Sequence, residues 1–520
     1  MKYNKKVYKI YVGDIMKFLK LPFKIIFNKL TLAILVFLVQ LSLIVIAFKF
    51  CYQYIGLLYG GLTILSFIVV AHILICKENT NYKIAWIILV LGIPGIGSLI
   101  YIFLQLQISA KILEKKLNEN KNESLKYLSQ EPLDIDDKNI ISLVNYMNNY
   151  AHYPMYQASD ISYFKSGELQ FEDLKKELKK AKKFIFLEYF IVAEGELLDS
   201  IIDILKEKAS EGVEVRFMYD GMCPFNGIPY DYPETLRKYG IKAKMFSPVK
   251  AIISTYQNNR DHRKIVVIDG NIAYTGGVNL ADEYVNKKIR FGVWKDTAIK
   301  IKGDAVNSFT TMFLEMWNVD EKYNENYEPY ITKNKIKENG FIMPYGDNPL
   351  NGESVGKNVY MDIINHAKEY VYISTPYLIP DDELLSSIKY ASKKGIDIRI
   401  IMPHIPDKKL VYYLGRSYYE ELLKTNVKIY EYKYGFIHSK MFISDDDKAV
   451  VGTINLDYRS LYLHFECGCY IYKNDVIKEI KEDFENTLKE SIIIDRKNIK
   501  NFSLIKKIIG VILRFFAPLM

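Results

Sequence analysis

His262-Arg263-Lys264-Ile265-Val266-Val267-Ile268-Asp269 fits the pattern His, any residue, Lys, four residues, Asp. His438-Ser439-Lys440-Met441-Phe442-Ile443-Ser444-Asp445 fits it again. In each copy the Asp is followed seven residues later by Gly (Gly276, Gly452) and three further on by Asn (Asn279, Asn455). One such octad arises by chance in about one chain in twenty, and two in fewer than about one in a thousand. Two matched copies therefore argue against an ordinary strand with a solvated His and Lys.

The apolar and β-branched runs Ile265–Ile268 and 441–443 predict strands. Side chains alternate sides along a strand, so His262 and Lys264 share a face, as do His438 and Lys440. Each face then offers an imidazole and an ammonium about 7 Å apart. An imidazole can attack phosphorus or move a proton near neutral pH. An ammonium is a compact charge for a phosphate oxygen. Asp269 and Asp445 complete the two catalytic motifs. Their odd offset turns them to the other side of the strand, where they would hold the turn leading to the Gly and Asn. Asn279 and Asn455 can donate to the phosphate. An acid should orient each imidazole through its second nitrogen. The candidates are Asp296 and Glu466, which follow their His by 34 and 28 residues.

The octads sit in parallel settings. Residues 181–191 and 367–377 are both lysine-flanked apolar strands. Each is followed by a helical pattern (197–209 and 384–393), then by Gly212 or Gly395 and a second apolar strand. Strand, helix, strand at this spacing predicts βαβ units, hence an α/β fold with helices on the sheet faces. The chain is expected to hold two duplicated halves, 138–335 and 336–500, packed about a pseudo-twofold. Their two octads can then meet at one cleft.

At these residues the chain resembles the phospholipase D superfamily, and within it the bacterial cardiolipin synthases. The narrower resemblance rests on His262 to Gly270, on Gly276-Gly277-Val278-Asn279-Leu280-Ala281-Asp282-Glu283-Tyr284, and on Gly452-Thr453-Ile454-Asn455-Leu456-Asp457-Tyr458-Arg459-Ser460. It implies two phospholipase D-like halves and a phosphatidyl-histidine intermediate. It further implies that His262 is the nucleophile and that His438 is the acid for the leaving alcohol and the base for the incoming one. Lys264, Lys440, Asn279 and Asn455 would cradle the phosphate. Three positions depart from the family pattern: Ala298 replaces the usual His, His464 the usual Asn, and Asp261 the Asn before the first catalytic His.

Three uncharged apolar stretches precede the octads, at 30–48, 54–76 and 84–104, each long enough to span a bilayer. Residues 1–29 carry eight Lys and one Asp, which puts the amino terminus in the cytoplasm. The third stretch contains Ile93-Pro94-Gly95-Ile96-Gly97, where a helix can break. A re-entrant course there would leave the enzyme cytoplasmic, on a multi-pass membrane anchor. Residues 107–137 read as a polar linker, and 501–520 as a basic amphipathic helix that lies on a membrane or docks on the enzyme.

The net charge of +9 suits anionic lipid. Paired Lys and Asn can meet the phosphate charge, so neither metal nor other cofactor is expected. The expected partners are phosphatidylglycerol and the membrane, with no nucleic acid. The leading expectation is a transferase joining two phosphatidylglycerols into cardiolipin with release of glycerol. Alternatives are a hydrolase using water, transfer to another alcohol, a membrane-bound nuclease, or a scaffold without activity. Two complete octads weigh against the scaffold, and the apolar spans against the nuclease.

Overall fold

The structure is a computed structural model that describes residues 38–43, 54–76, 79–105, 108–157, 159–249, 258–322, 325–334, 336 and 339–519. The chain divides into two compact units, one of residues 1–106 with 250–253, the other of 107–249 with 254–520. The basic segment 1–29 and most of the first apolar stretch lie outside the described residues.

In the smaller unit, helix Ile55–Ile75 is mostly apolar, carries no Asp, Glu, Lys or Arg, and exposes most of its surface. The third apolar stretch is not one helix. It falls into Thr80–Gly92, 13 residues, and Ile96–Gln105, 10 residues. At a rise of about 1.5 Å per residue these are about 20 Å and 15 Å long, against a hydrocarbon core of about 30 Å. The break falls at Ile93-Pro94-Gly95, where Gly95 takes φ +83°. The Gly95 N–H donates to Ser66 Oγ (3.1 Å), which also meets Ser98 Oγ (2.9 Å). By length and composition Gly56–Ile75 can cross a membrane.

The larger unit is α/β and internally duplicated. The first sheet has seven strands in the order Asp160–Phe164, Ala298–Lys302, Ile272–Gly276, Ile265–Ile268, Phe184–Tyr189, Glu214–Asp220, Lys242–Phe246. The second repeats that order with Phe341–Asp347, Glu466–Tyr472, Lys448–Gly452, Met441–Ser444, Tyr370–Ser374, Asp397–Pro403, Lys428–Tyr432. It adds Tyr156–Gln157 at one edge and Ser491–Ile494 at the other. The parallel pairs 184–189/214–220 and 370–374/397–403 enclose helices Glu196–Ser210 and Asp382–Lys393, giving the expected βαβ units.

Helix Val306–Trp317 is buried along its whole length. Its Phe313 stacks on Phe186 of the first sheet (4.6 Å), and Met312 abuts Gly346 of the second. Residues 107–137 correct the linker expectation. They hold helix Ile108–Ser124, whose Leu113 and Leu117 are buried and whose Asn120 Nδ2 donates to Glu315 O (2.8 Å). Polar composition hid an apolar pair at i and i+4. The swap of Tyr156–Gln157 into the second sheet blurs the expected boundary between the halves.

Strand Ile265–Ile268 runs antiparallel to Phe184–Tyr189, pairing Ile265 with Glu188 and Ile268 with Ile185. His262 therefore lies beyond the carboxyl end of that strand, and Asp269 at its amino end. The carboxyl ends of such strands are where α/β folds hold ligands.

Candidate active site

The two octads meet where the halves join. Both strands begin after the lysines, at Ile265 and Met441, so His262 and Lys264 lie in the extended approach and not in the strand itself. That approach is pinned to the other half. The His262 N–H donates to Phe465 O (2.9 Å), and the Phe465 N–H to Arg260 O (2.8 Å). In the twofold-related position the His438 N–H donates to Lys295 O (2.7 Å).

The acid partners are crossed. Glu466, from the second half, shares a hydrogen bond with His262 Nδ1 (2.9 Å). Asp296, from the first half, accepts from His438 Nδ1 (2.7 Å). Counting along the sequence had paired each acid with the His of its own half. The fold instead exchanges them, because each acid follows the residue that binds the other half's histidine backbone. With Nδ1 engaged, Nε2 is the nitrogen left for chemistry on each ring.

Lys264 Nζ donates to the carbonyl of His262, and Lys440 Nζ to that of His438. Both ammoniums are thus drawn back beside their imidazoles. Asn279 bridges the Ile191 N–H, which donates to its Oδ1 (2.9 Å), and Tyr284 Oη, which accepts from its Nδ2 (2.8 Å). Asn455 Nδ2 donates to Ser460 Oγ (3.1 Å), while its buried Oδ1 has no hydrogen-bond partner among the described residues.

Gly276 and Gly452 recur because the next strand passes too close for a side chain. A Cβ would stand 2.4 Å from Thr297 O at the first and 2.5 Å from Cys467 O at the second.

Asp269 and Asp445 do not join the reacting groups. Asp269 accepts from the backbone N–H of Lys182, Lys183 and Phe184 (2.8, 2.7 and 3.0 Å). Asp445 accepts from those of Lys368, Glu369 and Tyr370 (2.8, 2.9 and 3.0 Å). Counting them among the catalytic residues is corrected: each ties its turn to the amino end of a central strand, at the far end from the histidines.

All the reacting groups are buried. Burial, Lys264 and His464 push the His262 imidazole well below its ordinary value. Burial and Lys440 bring His438 down to about 4 against the pull of Asp296. Both rings are therefore neutral at pH 7. Burial lowers Lys264 to about 8 and, with Lys264 adding repulsion, Lys440 to about 7. The acids diverge. Burial raises Glu466 to about 8 despite Lys264 and the Thr453 hydroxyl. Burial also raises Asp296, but His438, Lys440 and the Thr297 N–H outweigh it and hold the carboxyl below its usual range.

Sequence reasoning passed over the walls of the site. Phe190 stands edge-on to His262 (4.7 Å between centroids), and Trp294 and Tyr284 flank His438 (5.3 and 5.5 Å). Thr453 Oγ1 donates to Glu466, where Gly277 occupies the equivalent place beside Asp296. Comparing the two copies position by position would have exposed that asymmetry. His464, noted as a departure from the family pattern, places its ring 5.5 Å from His262. His262, His464 and Glu466 form the one cluster among the described residues with ligand atoms within 4.8 Å of each other. Lys264, Arg459 and Arg260 all bear on His464 electrostatically, which opposes a metal cation there.

The profile of the family described as cardiolipin synthase, PLD-like domain matches residues 174–317 and 360–488. That of the phospholipase D-nuclease N-terminal segment matches 64–105. A cardiolipin synthase of Alkalihalophilus pseudofirmus is 34% identical over 86% of this chain and 91% of its own. The chain belongs to the phospholipase D-like cardiolipin synthase family. An uncharacterized protein of Streptococcus mutans is 46% identical over 85% of this chain and 98% of its own. The crystal structure of a phosphatidylserine synthase from Haemophilus influenzae superposes with a TM-score of 0.57, covering 74% of this chain and 98% of that one. At 16% identity that likeness speaks for the fold.

Proposed function

We propose that this member of the cardiolipin synthase family transfers a phosphatidyl group from one phosphatidylglycerol to the hydroxyl of another, giving cardiolipin and glycerol. The observation that carries the reading is the crossed pair of His–acid contacts, each flanked by a lysine, at the junction of two duplicated halves.

In the first step His262 Nε2 attacks phosphorus as the neutral ring. The bond from phosphorus to the glycerol oxygen breaks, and His438, which holds a proton on both nitrogens once the anionic phosphodiester and Asp296 stabilise its imidazolium, gives that oxygen its Nε2 proton and is left neutral. A phosphatidyl-histidine remains. In the second step His438 takes the proton from the hydroxyl of the second phosphatidylglycerol. That oxygen attacks phosphorus, the phosphorus–nitrogen bond breaks, and neutral His262 is restored.

The assignment of roles draws support from the acids. An ionised Asp296 stabilises a charged imidazole at His438, which suits proton carriage. His262, also held neutral by burial and by Lys264, suits attack. Lys264, Lys440, Asn279 and Asn455 stabilise the phosphate oxygens. One phosphodiester replaces another, so the exchange demands no activated donor. The apolar helices of the smaller unit hold the enzyme at the membrane that contains its substrate, with the catalytic unit on the cytoplasmic side.

Purified protein incubated with labelled phosphatidylglycerol tests the reading. Cardiolipin and glycerol in equal amounts are expected. Phosphatidic acid as the sole product would replace the transferase with a hydrolase.

A further inference from the structure

Helix Leu504–Phe516 is mounted the wrong way round for a soluble protein. It packs against helix Lys409–Ser417 through its small and polar side. A Cβ at Gly510 would stand 2.4 Å from Tyr413 O, so the two backbones touch there. Arg514 Nε donates to Ser417 Oγ (2.9 Å), and its guanidinium lies 3.9 Å from the centre of the Tyr418 ring. The apolar stripe faces outward. Leu504, Ile505, Ile508, Ile512, Phe515 and Phe516 recur at helical spacing and are 50 to 71% exposed. Leu410, on the supporting helix itself, is 54% exposed as well. A soluble helix buries such a stripe, and a contiguous exposed patch of this kind marks an interaction surface.

The charges name the occupant. The helix carries Lys506 and Lys507 and no acid, its Arg514 being turned inward to Ser417, and Lys408 and Lys409 are exposed at the start of its neighbour. Apolar residues edged by lysines suit an anionic lipid surface. The location adds to this. Gly415 of the supporting helix comes within 3.5 Å of the Leu378 backbone for an added Cβ, and Leu378 bridges to Leu456, next to Asn455. The helix pair therefore stands beside the loop carrying one arm of the phosphate site.

We propose that helices Lys409–Ser417 and Leu504–Phe516 form a docking surface that inserts into the anionic bilayer and seats the mouth of the active site on it. The docking partner is the lipid surface, and the proposal rests on the phosphatidyltransferase reading.

The test uses the full chain in phosphatidylglycerol vesicles. Cys51 and Cys76 are replaced by Ser, and an environment-sensitive fluorophore is attached at Ile508→Cys or, as control, at the exposed Ser210→Cys. Label at 508 should shift to the blue and be quenched by quencher-bearing lipid, while label at 210 should do neither. Aqueous emission at 508 would overturn the proposal, and so would self-quenching between labels, which would assign the stripe to a second copy. The double variant Ile508→Asp, Phe515→Asp should lose at least tenfold in turnover of bilayer phosphatidylglycerol and keep its turnover of a soluble short-chain analogue. Equal loss on both substrates would also overturn it. If the parent protein turned over neither lipid, the proposed function would fall, while the emission shift would still decide the docking.

Discussion

His438 donates through Nδ1 to Asp296, 2.7 Å away, across the junction between the two halves. The mirror contact, Glu466 with His262, crosses it the other way. Neither half can orient its own imidazole, so the site exists only when both halves are folded and docked.

This crossing makes a prediction that pairing within each half would reverse. His438→Ala should still accumulate some covalent phosphatidyl adduct on His262, because only proton delivery is impaired. His262→Ala should form none. Asp296→Asn should then resemble His438→Ala and trap adduct, although Asp296 lies in the same half as His262. Glu466→Gln, which keeps the nucleophile but loses the group that orients it, should form adduct slowly and accumulate less of it than Asp296→Asn. Removing an ionised carboxylate that holds an imidazole's tautomer, as Asp296→Asn does, costs up to about 10⁴ in kcat in comparable triads. Mass spectrometry of each variant after a brief exposure to phosphatidylglycerol reads the adduct. The opposite pattern for the two acids would reject the crossed assignment.

The pH profile follows from the lysines. Burial sets Lys440 at about 7 and Lys264 at about 8, so both lose their charge as pH rises through that range. The phosphodiester keeps its negative charge throughout. The ratio kcat/KM should therefore fall on the alkaline side, with a midpoint between about pH 7 and 8. Stability should move the other way above pH 8. There the unfolded chain still holds lysine protons up to its ordinary value of 10.5, so the unfolded state binds more protons and each further rise in pH favours the fold. A flat kcat/KM from pH 6 to 10 would remove the lysines from the reaction.

The duplication, the βαβ units and the motif positions were legible because strand alternation, helix spacing and octad repetition are all short-range signals. His262, Lys264, Asn279 and their counterparts could be named from those signals alone. The exchange of Asp296 and Glu466 was not legible, since it depends on which backbone pairs with Phe465 and Lys295 across the junction. The docked course of residues 108–124 was hidden by their charge, with only Leu113 and Leu117 marking the buried side. The orientation of the last helix was equally hidden. Its apolar stripe reads the same whether it faces a core or a membrane, and Gly510 against Tyr413 shows only which side rests on the enzyme.

Arg263 points away from its neighbour His262, into a buried ion cluster. Its NH2 nitrogen lies 2.5 Å from Glu188 Oε1 and its Nε donates to Asp261 Oδ1 (3.2 Å). Asp261, where the family pattern has Asn, thus serves the guanidinium. Arg263→Met would leave Asp261 and Glu188 buried without their cation. Such a loss costs about 3–5 kcal/mol. Replacing all three with apolar residues should cost much less than the single change. Denaturant unfolding of the variants compares the two, and a single variant as stable as the parent would show the cluster to be solvated.

Asp269 offers the cleanest separation of structure from chemistry. It takes the left-handed backbone conformation, φ +53°, and accepts three backbone N–H groups at the start of strand Phe184–Tyr189. Asp445 repeats this at φ +54°. Asp269→Ala orphans those three donors and loses a residue type that tolerates the left-handed region. We expect a loss of about 2–4 kcal/mol in stability. The folded fraction should turn over phosphatidylglycerol at the parent kcat, with the parent pH profile, because the carboxylate lies at the far end of the strand from both imidazoles. Asp269→Asn, which keeps an acceptor and the backbone preference, should recover part of the stability. Active-site titration of the variant separates the two quantities. A kcat reduced a hundredfold per active site, in protein of undiminished stability, would return Asp269 to the reacting groups.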